Sequence, residues 1–249
     1  MTAPVFVVES AALAGAVPGA VVRLDGPEGR HAVAVKRLEV GEAITLADGA
    51  GLGVDGTVAA VHGKDALDLT VDAVRTEPAP GPRIVVVQAL PKGDRGELAV
   101  ETMTEVGVDA VIPWAASRCI TQWKGDRGAK ALAKWRATAR EAGKQSRRLR
   151  FPEVGELMTT RQLAPVLAAA AFAAVLHEDG AEPLATAALP HEGDIVLVVG
   201  PEGGVSPDEL AAFAAAGAAP YRLGPSVLRT STAGVAAGAL LLGRTGRWS

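Results

Sequence analysis

Hydrophobic and polar positions change rhythm along the chain. Over the first 76 residues the apolar runs are short and set between turn residues: Val5 to Val8, Ala20 to Leu24, Ala43 to Leu46, Val54 to Val58 and Leu67 to Val71. These runs predict strands, and Asp48-Gly49 is a strong hairpin signal between the third and the fourth. Several short strands at such spacing predict a small all-β barrel. One insert, Gly29 to Arg37, breaks the pattern. Glu77-Pro78-Ala79-Pro80-Gly81-Pro82 then interrupts both strand and helix periods, since three prolines in six residues make a stiff linker. The expected organisation is a barrel over 1–76, a linker over 77–82 and a second domain over 83–249.

In the second region strands and helices alternate. Ile84 to Leu90 reads as a buried strand. Asp94 is placed to cap a helix running to Val106, with Leu98, Met103 and Val106 on its apolar side and Gly107 as its stop. Val111 to Trp114 predicts a short strand, and Ala129 to Leu149 a helix with one thin apolar face of Leu132, Trp135, Ala139, Ala142 and Leu149. Thr160 to Ala170 reads as a helix, Ala171 to Leu176 as a strand, and Asp179 to Gly193 as a polar connection. Ile195 to Val199 is a strand buried on both faces, Tyr221 to Leu223 a short strand, and Thr230 to Leu242 a final helix of small apolar residues. This order predicts an α/β domain with a mainly parallel sheet.

Composition narrows the class. Half of the 249 residues are hydrophobic, enough for a sizeable core, while aromatics make up only 4%. No apolar run approaches the roughly 20 residues that span a membrane, and Met1-Thr2-Ala3-Pro4 lacks the start of a signal peptide, so a soluble cytoplasmic protein is expected. Cys119 is the single cysteine, and His31, His62, His177 and His191 have no metal-ligand spacing, so no metal is expected. The net charge of -3 hides an asymmetry: Arg118 to Arg150 carries +9, leaving -12 for the rest. A basic surface on an otherwise acidic chain is the footprint of a phosphate-backbone binder. Lys130, Lys134, Arg140, Lys144, Arg147 and Arg148 supply most of it, although such a helix face can also be merely solvated.

Candidate chemistry lies in two loops. After Val199 comes Gly200-Pro201-Glu202-Gly203-Gly204, where missing side chains permit close approach of a ligand or of another backbone. Ser206, Pro207 and Glu209 then open a helix as N-cap, first helical residue and capping-box partner. The pattern is neither GxGxxG nor a P-loop, which points away from dinucleotides and triphosphates. A second loop, Leu223-Gly224-Pro225-Ser226-Val227-Leu228-Arg229-Thr230, leads into Ser231-Thr232-Ala233. In α/β sheets ligands bind at such strand ends.

The pair of loops resembles the RsmE family of SPOUT methyltransferases, which methylate N3 of a uridine in 16S ribosomal RNA. That family carries GPEGG after a strand, then LG, then LR-T-x-TA opening the last helix, and more often has Glu where this chain has Ser231. The resemblance extends to Lys92-Gly93-Asp94-Arg95, to Glu141-Ala142, and to Gln145-Ser146-Arg147-Arg148. It implies a PUA-like barrel followed by a domain with a deep carboxyl-terminal trefoil knot, and a homodimer formed through the knotted domain. It also implies S-adenosylmethionine as cofactor and the small ribosomal subunit as partner.

The implied cofactor residues are Leu176, His177 and Glu178 at one strand end, and Val199, Gly200, Pro201, Glu202, Gly203 and Gly204 at the next. Leu223, Gly224, Val227, Leu228, Arg229, Thr230 and Ala233 complete them. Arg23, Arg30, His31, Lys36 and Arg37 in the barrel, with Lys92, Arg95 and Arg118 in the second domain, join the basic helix as candidate RNA contacts; His31 could equally be a packing residue. Arg229 is the candidate for stabilising charge on the uracil oxygens, with a salt bridge or phosphate contact as its other reading. Glu202 is either a proton acceptor or a structural cap. Two other functions stay open: a non-catalytic RNA-binding assembly factor, and a SPOUT enzyme acting on transfer RNA.

Overall fold

The structure is a computed structural model that describes residues 3–248. It divides into two compact units that are not continuous in sequence: residues up to Ala79 together with Gly143–Phe151, and Pro80–Ala142 together with Pro152 onward.

The first unit is a five-stranded sheet in the order β1-β3-β4-β5-β2. Its strands are β1 (Val5–Val7), β2 (Val21–Leu24), β3 (Ala43–Ala47), β4 (Leu52–His62) and β5 (Ala66–Thr76). The last two run well past the expected ends. A register shift at Asp55/Gly56 breaks the alternation there, and a side chain on Gly56 would lie 2.3 Å from the Thr70 carbonyl oxygen. Asp48 makes the hairpin by accepting the N–H groups of Ala50 and Leu52 at 2.7 and 2.9 Å, with Gly49 at φ +73°. The core is Phe6, Leu13, Leu24, Ile44, Leu46, Leu67 and Leu69. The insert forms α1 (Gly26–Arg30) and a following π-helical turn, His31–Val35. Here the ring of His31 stands edge-on to Phe6 at 5.9 Å, the packing role.

The second unit is an eight-stranded parallel sheet in the order β11-β13-β10-β12-β6-β7-β8, with β9 also paired to β7. In chain order its elements are β6 (Arg83–Ala89), α2 (Arg95–Val106), β7 (Ala110–Ala115), α3 (Gly125–Gln145), β8 (Glu153–Val154), β9 (Met158–Thr159) and α4 (Thr160–Ala169). They continue with β10 (Phe172–Leu176), β11 (Glu182–Pro183), β12 (Asp194–Val199), α5 (Pro207–Ala215), β13 (Ala219–Arg222) and α6 (Thr230–Arg244). β6 and β12 lie in the middle and are apolar on both faces, as a covered parallel sheet requires.

Three expectations are corrected. Leu98 is 46% exposed and does not belong to the core. The buried face of α2 is Gly96, Ala99, Val100 and Met103, the true i, i+3, i+4, i+7 series. α3 ends at Gln145, because Arg147 turns to φ +59° and the N–H groups of Arg147 and Arg148 fold back onto Lys144 and Gly143. Leu149 is therefore not on the helix; it is buried beside Val5 and Ala47 in the first unit. The polar connection after β10 holds β11 and the buried Leu184.

The small residues of α6 are used within the chain. A side chain on Gly234 would lie 2.7 Å from the sulfur of Met103, and one on Gly238 3.0 Å from Val108. Close backbone approach thus seats α6 on α2 and β6. Residues beyond it are also fastened: Arg247 pairs with Asp109, and Trp248 Nε1 donates to the Val106 carbonyl at 3.1 Å.

Candidate active site

β12, β10 and β13 are adjacent and parallel, so the segments that follow them leave from one edge of the sheet. Those segments are 200–206, 177–181 and 223–229, which carry most of the predicted cofactor residues; Leu176 and Val199 end their strands, and Thr230 and Ala233 open α6. The register places Leu176 beside Val199 on one side and Tyr221 on the other. His177 continues the pairing by donating its N–H to the Tyr221 carbonyl at 3.0 Å, while its Nδ1 accepts the N–H of Asp179 at 3.2 Å. Glu178 is exposed.

The two glycine loops are joined through Thr230. Its hydroxyl donates to the Gly200 carbonyl at 2.8 Å and accepts from Gln88 Nε2 at 3.0 Å. Gln88 is fully buried at the end of β6, and its Nε2 also donates to the Ala89 carbonyl at 3.1 Å. That second bond fixes the orientation of the amide, because a carbonyl only accepts. Sequence reasoning missed Gln88, though a polar residue inside an otherwise apolar strand run is the signal: buried amides need partners.

The first loop is short of side chains where it faces outward. Gly203 and Gly204 are exposed, Gly204 has φ +73°, and its N–H donates to the Pro201 carbonyl at 2.9 Å. In the second loop a side chain on Gly224 would meet nothing within 4 Å. Val227 and Leu228 are 79% and 40% exposed, an unusual state for apolar residues beside bare backbone. Ala233 and Thr230 are buried, and Leu223 packs on the core. Exposed peptide groups next to apolar side chains suit a ligand with a flat heterocycle and polar edges.

Neighbouring strand ends brace the loop. Glu202 Oε1 accepts the backbone N–H of Lys92 at 3.1 Å, the structural tie weighed for it. Arg118 Nη1 donates to the Gly203 carbonyl at 3.0 Å, so one arm of this candidate RNA contact is engaged on the loop. Glu209 is 5% exposed and takes bonds from Ser206, Ser117 and Thr160. Burial pushes its carboxyl up, but the hydrogen bonds from Ser117 and Ser206 outweigh that and hold it below the usual glutamate value. Its stabilising effect is therefore complete above the ordinary glutamate range and is lost as pH falls through the lowered value. Cys119 is a packing residue whose thiol burial pushes up, away from the thiolate.

Arg229 is the N-cap of α6, with its carbonyl accepting the N–H groups of Thr232 and Ala233 at 2.9 Å. Its side chain is exposed and has no partner among the described residues.

A model of an RNA methyltransferase domain matches residues 77–242, and one of an RNA methyltransferase PUA domain matches residues 24–72. A ribosomal RNA small subunit methyltransferase E of Mycobacterium bovis is 45% identical over 234 residues, spanning 92% of this chain and 89% of that protein. The chain belongs to the ribosomal RNA small subunit methyltransferase E family. The Bacillus subtilis member is 28% identical across 84% of this chain and 85% of its own length. The fold agrees over nearly the whole length with a Neisseria gonorrhoeae family member solved bound to S-adenosyl methionine. That comparison has a TM-score of 0.83 and 27% identity, and covers 98% of each chain.

The candidate RNA-contact cations fall in both units. In the first, Arg30, Lys36, Arg37 and Arg147 are exposed, and Arg37 and Arg147 are the two non-glycine residues with positive φ among the described residues. Arg148 is half-buried, and Arg23 is paired with Asp68 at 3.0 Å. In the second, Lys92, Lys130 and Arg140 are exposed and Arg95 is half-buried, while Lys134 is exposed but reaches Glu97 at 3.1 Å. Lys144 departs from the expected set. It is 8% exposed and bound to Glu28 at 2.9 Å, so it is a structural lysine. Replacing it with Met removes this partner from the part-buried Glu28 carboxylate and is expected to lower stability by about 1–3 kcal/mol. Chemical denaturation measures that loss; the salt dependence of RNA binding should stay as it is.

Proposed function

We propose that the chain transfers a methyl group from S-adenosylmethionine to N3 of a uridine in 16S ribosomal RNA. Membership of the family makes it an S-adenosylmethionine-dependent ribosomal RNA methyltransferase. The observation that carries the site is the joining of both glycine loops by Thr230 at the edge formed by β12, β10 and β13. When bound, S-adenosylmethionine supplies an electrophilic methyl group on its sulfonium sulfur. Leu176, Leu223, Val227 and Leu228 offer apolar walls for its base, and the exposed backbone of 202–204 and 224–228 offers donors and acceptors to its edges. As the new N–C bond forms, the sulfonium–methyl bond breaks and S-adenosylhomocysteine leaves; N3 of uracil carries a proton at neutral pH, which passes to solvent water. Arg229 offsets the charge this puts on the uracil oxygens.

Several finer assignments belong to this reading. The chain returns from β13 to seat α6 against β6 and α2, which supports a knot formed by the segments 200–204 and 223–233. The exposed Val227 and Leu228 support a homodimer through this domain. No helix among the described residues is long and apolar enough to cross a membrane. A ribosomal substrate supports a cytoplasmic location. Residues 1–76 would serve as the RNA-binding barrel, joined through the linker 77–82 to a catalytic domain over 83–249.

Incubation with labelled cofactor and small-subunit RNA, followed by mass spectrometry of the nucleosides, tests the assignment. N3-methyluridine at one site in 16S RNA is expected. Cofactor binding without transfer to any RNA would favour an assembly factor, and label in transfer RNA would favour the other SPOUT reading. If Lys130 and Arg140 meet phosphates, reversing both charges should reduce the log–log salt slope of RNA binding by about two. An unchanged slope would make them solvated residues only.

A further inference from the structure

Glu209 lies on the first turn of α5, outside both glycine loops, and is nearly inaccessible at 5% exposure. As a capping-box residue it needs a single oxygen. Oε2 fills that role, accepting from the N–H and hydroxyl of Ser206 at 3.0 and 2.9 Å. Oε1 points to other elements, accepting the Ser117 N–H at 2.7 Å and the Thr160 hydroxyl at 3.2 Å. Ser117 is followed by Arg118, whose Nη1 holds the Gly203 carbonyl at 3.0 Å. A side chain on Gly203 would lie 3.1 Å from Arg118 Cβ, tight enough that one of the two would have to shift. The bonds close a circuit: Glu209 to Ser117, Arg118 to Gly203, and along the loop to Ser206 and back to Glu209.

We propose that Glu209 is a positioning residue for cofactor binding. Its carboxylate fixes the backbone at Ser117, so that Arg118 clasps the Gly203 carbonyl and sets the shape of the glycine loop. Both oxygens are needed, one on each side of the circuit. An amide in place of the carboxylate would turn an NH2 group toward one of two backbone donors, Ser117 or Ser206, and open the circuit there. The inference rests on the glycine loop being the cofactor site. Titration of a Gly204→Val chain with S-adenosylmethionine tests that site by itself, since wild-type affinity there would remove the loop from it.

The test is calorimetry with S-adenosylmethionine on the full chain, for Glu209→Gln, Arg118→Ala, the double variant and Thr160→Val, with thermal unfolding of each. Each single change on the circuit should raise Kd about tenfold, the scale of one lost or opposed hydrogen bond. The double variant should be no weaker than the weaker single one, because both changes break one circuit. Thr160→Val removes a donor to the same carboxylate without touching the circuit, and should lower the unfolding temperature while leaving Kd within about twofold. Additive losses in the double variant would overturn the proposal, as would a loss in Thr160→Val equal to that in Glu209→Gln. Arg118 is exposed, so its alanine variant is readable even if Glu209→Gln does not fold, and an unchanged Kd for it would overturn the proposal too.

Discussion

A Gly204→Val protein is expected to bind no measurable S-adenosylmethionine and yet to unfold within a few degrees of the unaltered chain. Gly204 sits at φ +73°, a region that costs an ordinary residue about 1–2 kcal/mol and a β-branched one more. Packing is not the obstacle: the nearest atom to an added Cβ is Arg118 Nη1 at 3.7 Å. The backbone must therefore leave the left-handed region, which breaks the turn closed by its N–H on the Pro201 carbonyl. The methyl groups also stand on exposed backbone that the ligand is proposed to approach. Because the loop is exposed, little of the core follows it. Gly204→Asn separates the two causes, since Asn accepts this conformation. Retained binding in Asn assigns the effect to backbone shape; loss in both assigns it to crowding of the ligand. Wild-type affinity in the valine variant would remove the first loop from the cofactor site.

The larger elements were legible because their signals are local. Ile195 to Val199 is apolar without interruption, and it became the buried strand β12. Ser206, Pro207 and Glu209 announced a capped helix, and both bonds of the capping box are present. What escaped depends on partners distant in sequence. Nothing near Lys144 distinguishes it from the cations around it; it is Glu28, far away in the chain, that makes it structural. The second role of Glu209, holding Ser117 and Thr160, is invisible for the same reason. β8, β9 and β11 are two residues long and cannot show a period. At α2 a single residue, Leu98, departs from expectation for a different reason. Hydrophobicity alone points to Leu98, whereas the buried stripe runs through Gly96 and Ala99, where Trp135 leaves no room for a side chain on Gly96. Small residues mark that contact more faithfully than large ones.

Arg229→Ala is expected to slow methyl transfer by about 10²-fold, the usual loss on removing one preorganised electrostatic donor, with little change in cofactor affinity. Arg229 precedes the first turn of α6, where the helix dipole already favours negative charge. Its guanidinium is exposed, and no described residue holds it, in contrast to Arg118 on Gly203 and Arg247 on Asp109. An arginine kept at a helix start without an internal partner is available to an incoming anion. Its fixing of α6 is done by the backbone, through the carbonyl that accepts Thr232 and Ala233, and alanine preserves that. Stability should therefore change by less than about 0.5 kcal/mol, as at other surface sites. Uracil losing its N3 proton gathers negative charge on two oxygens, which a planar guanidinium can meet together. Arg229→Lys should for that reason recover only part of the rate, since an ammonium cannot span both. Single-turnover transfer with saturating RNA and cofactor measures the step. Normal turnover in the alanine variant would leave Arg229 a surface residue, and a loss confined to cofactor affinity would move it into the binding pocket. A loss confined to RNA affinity would identify the phosphate contact that its sequence position also allows.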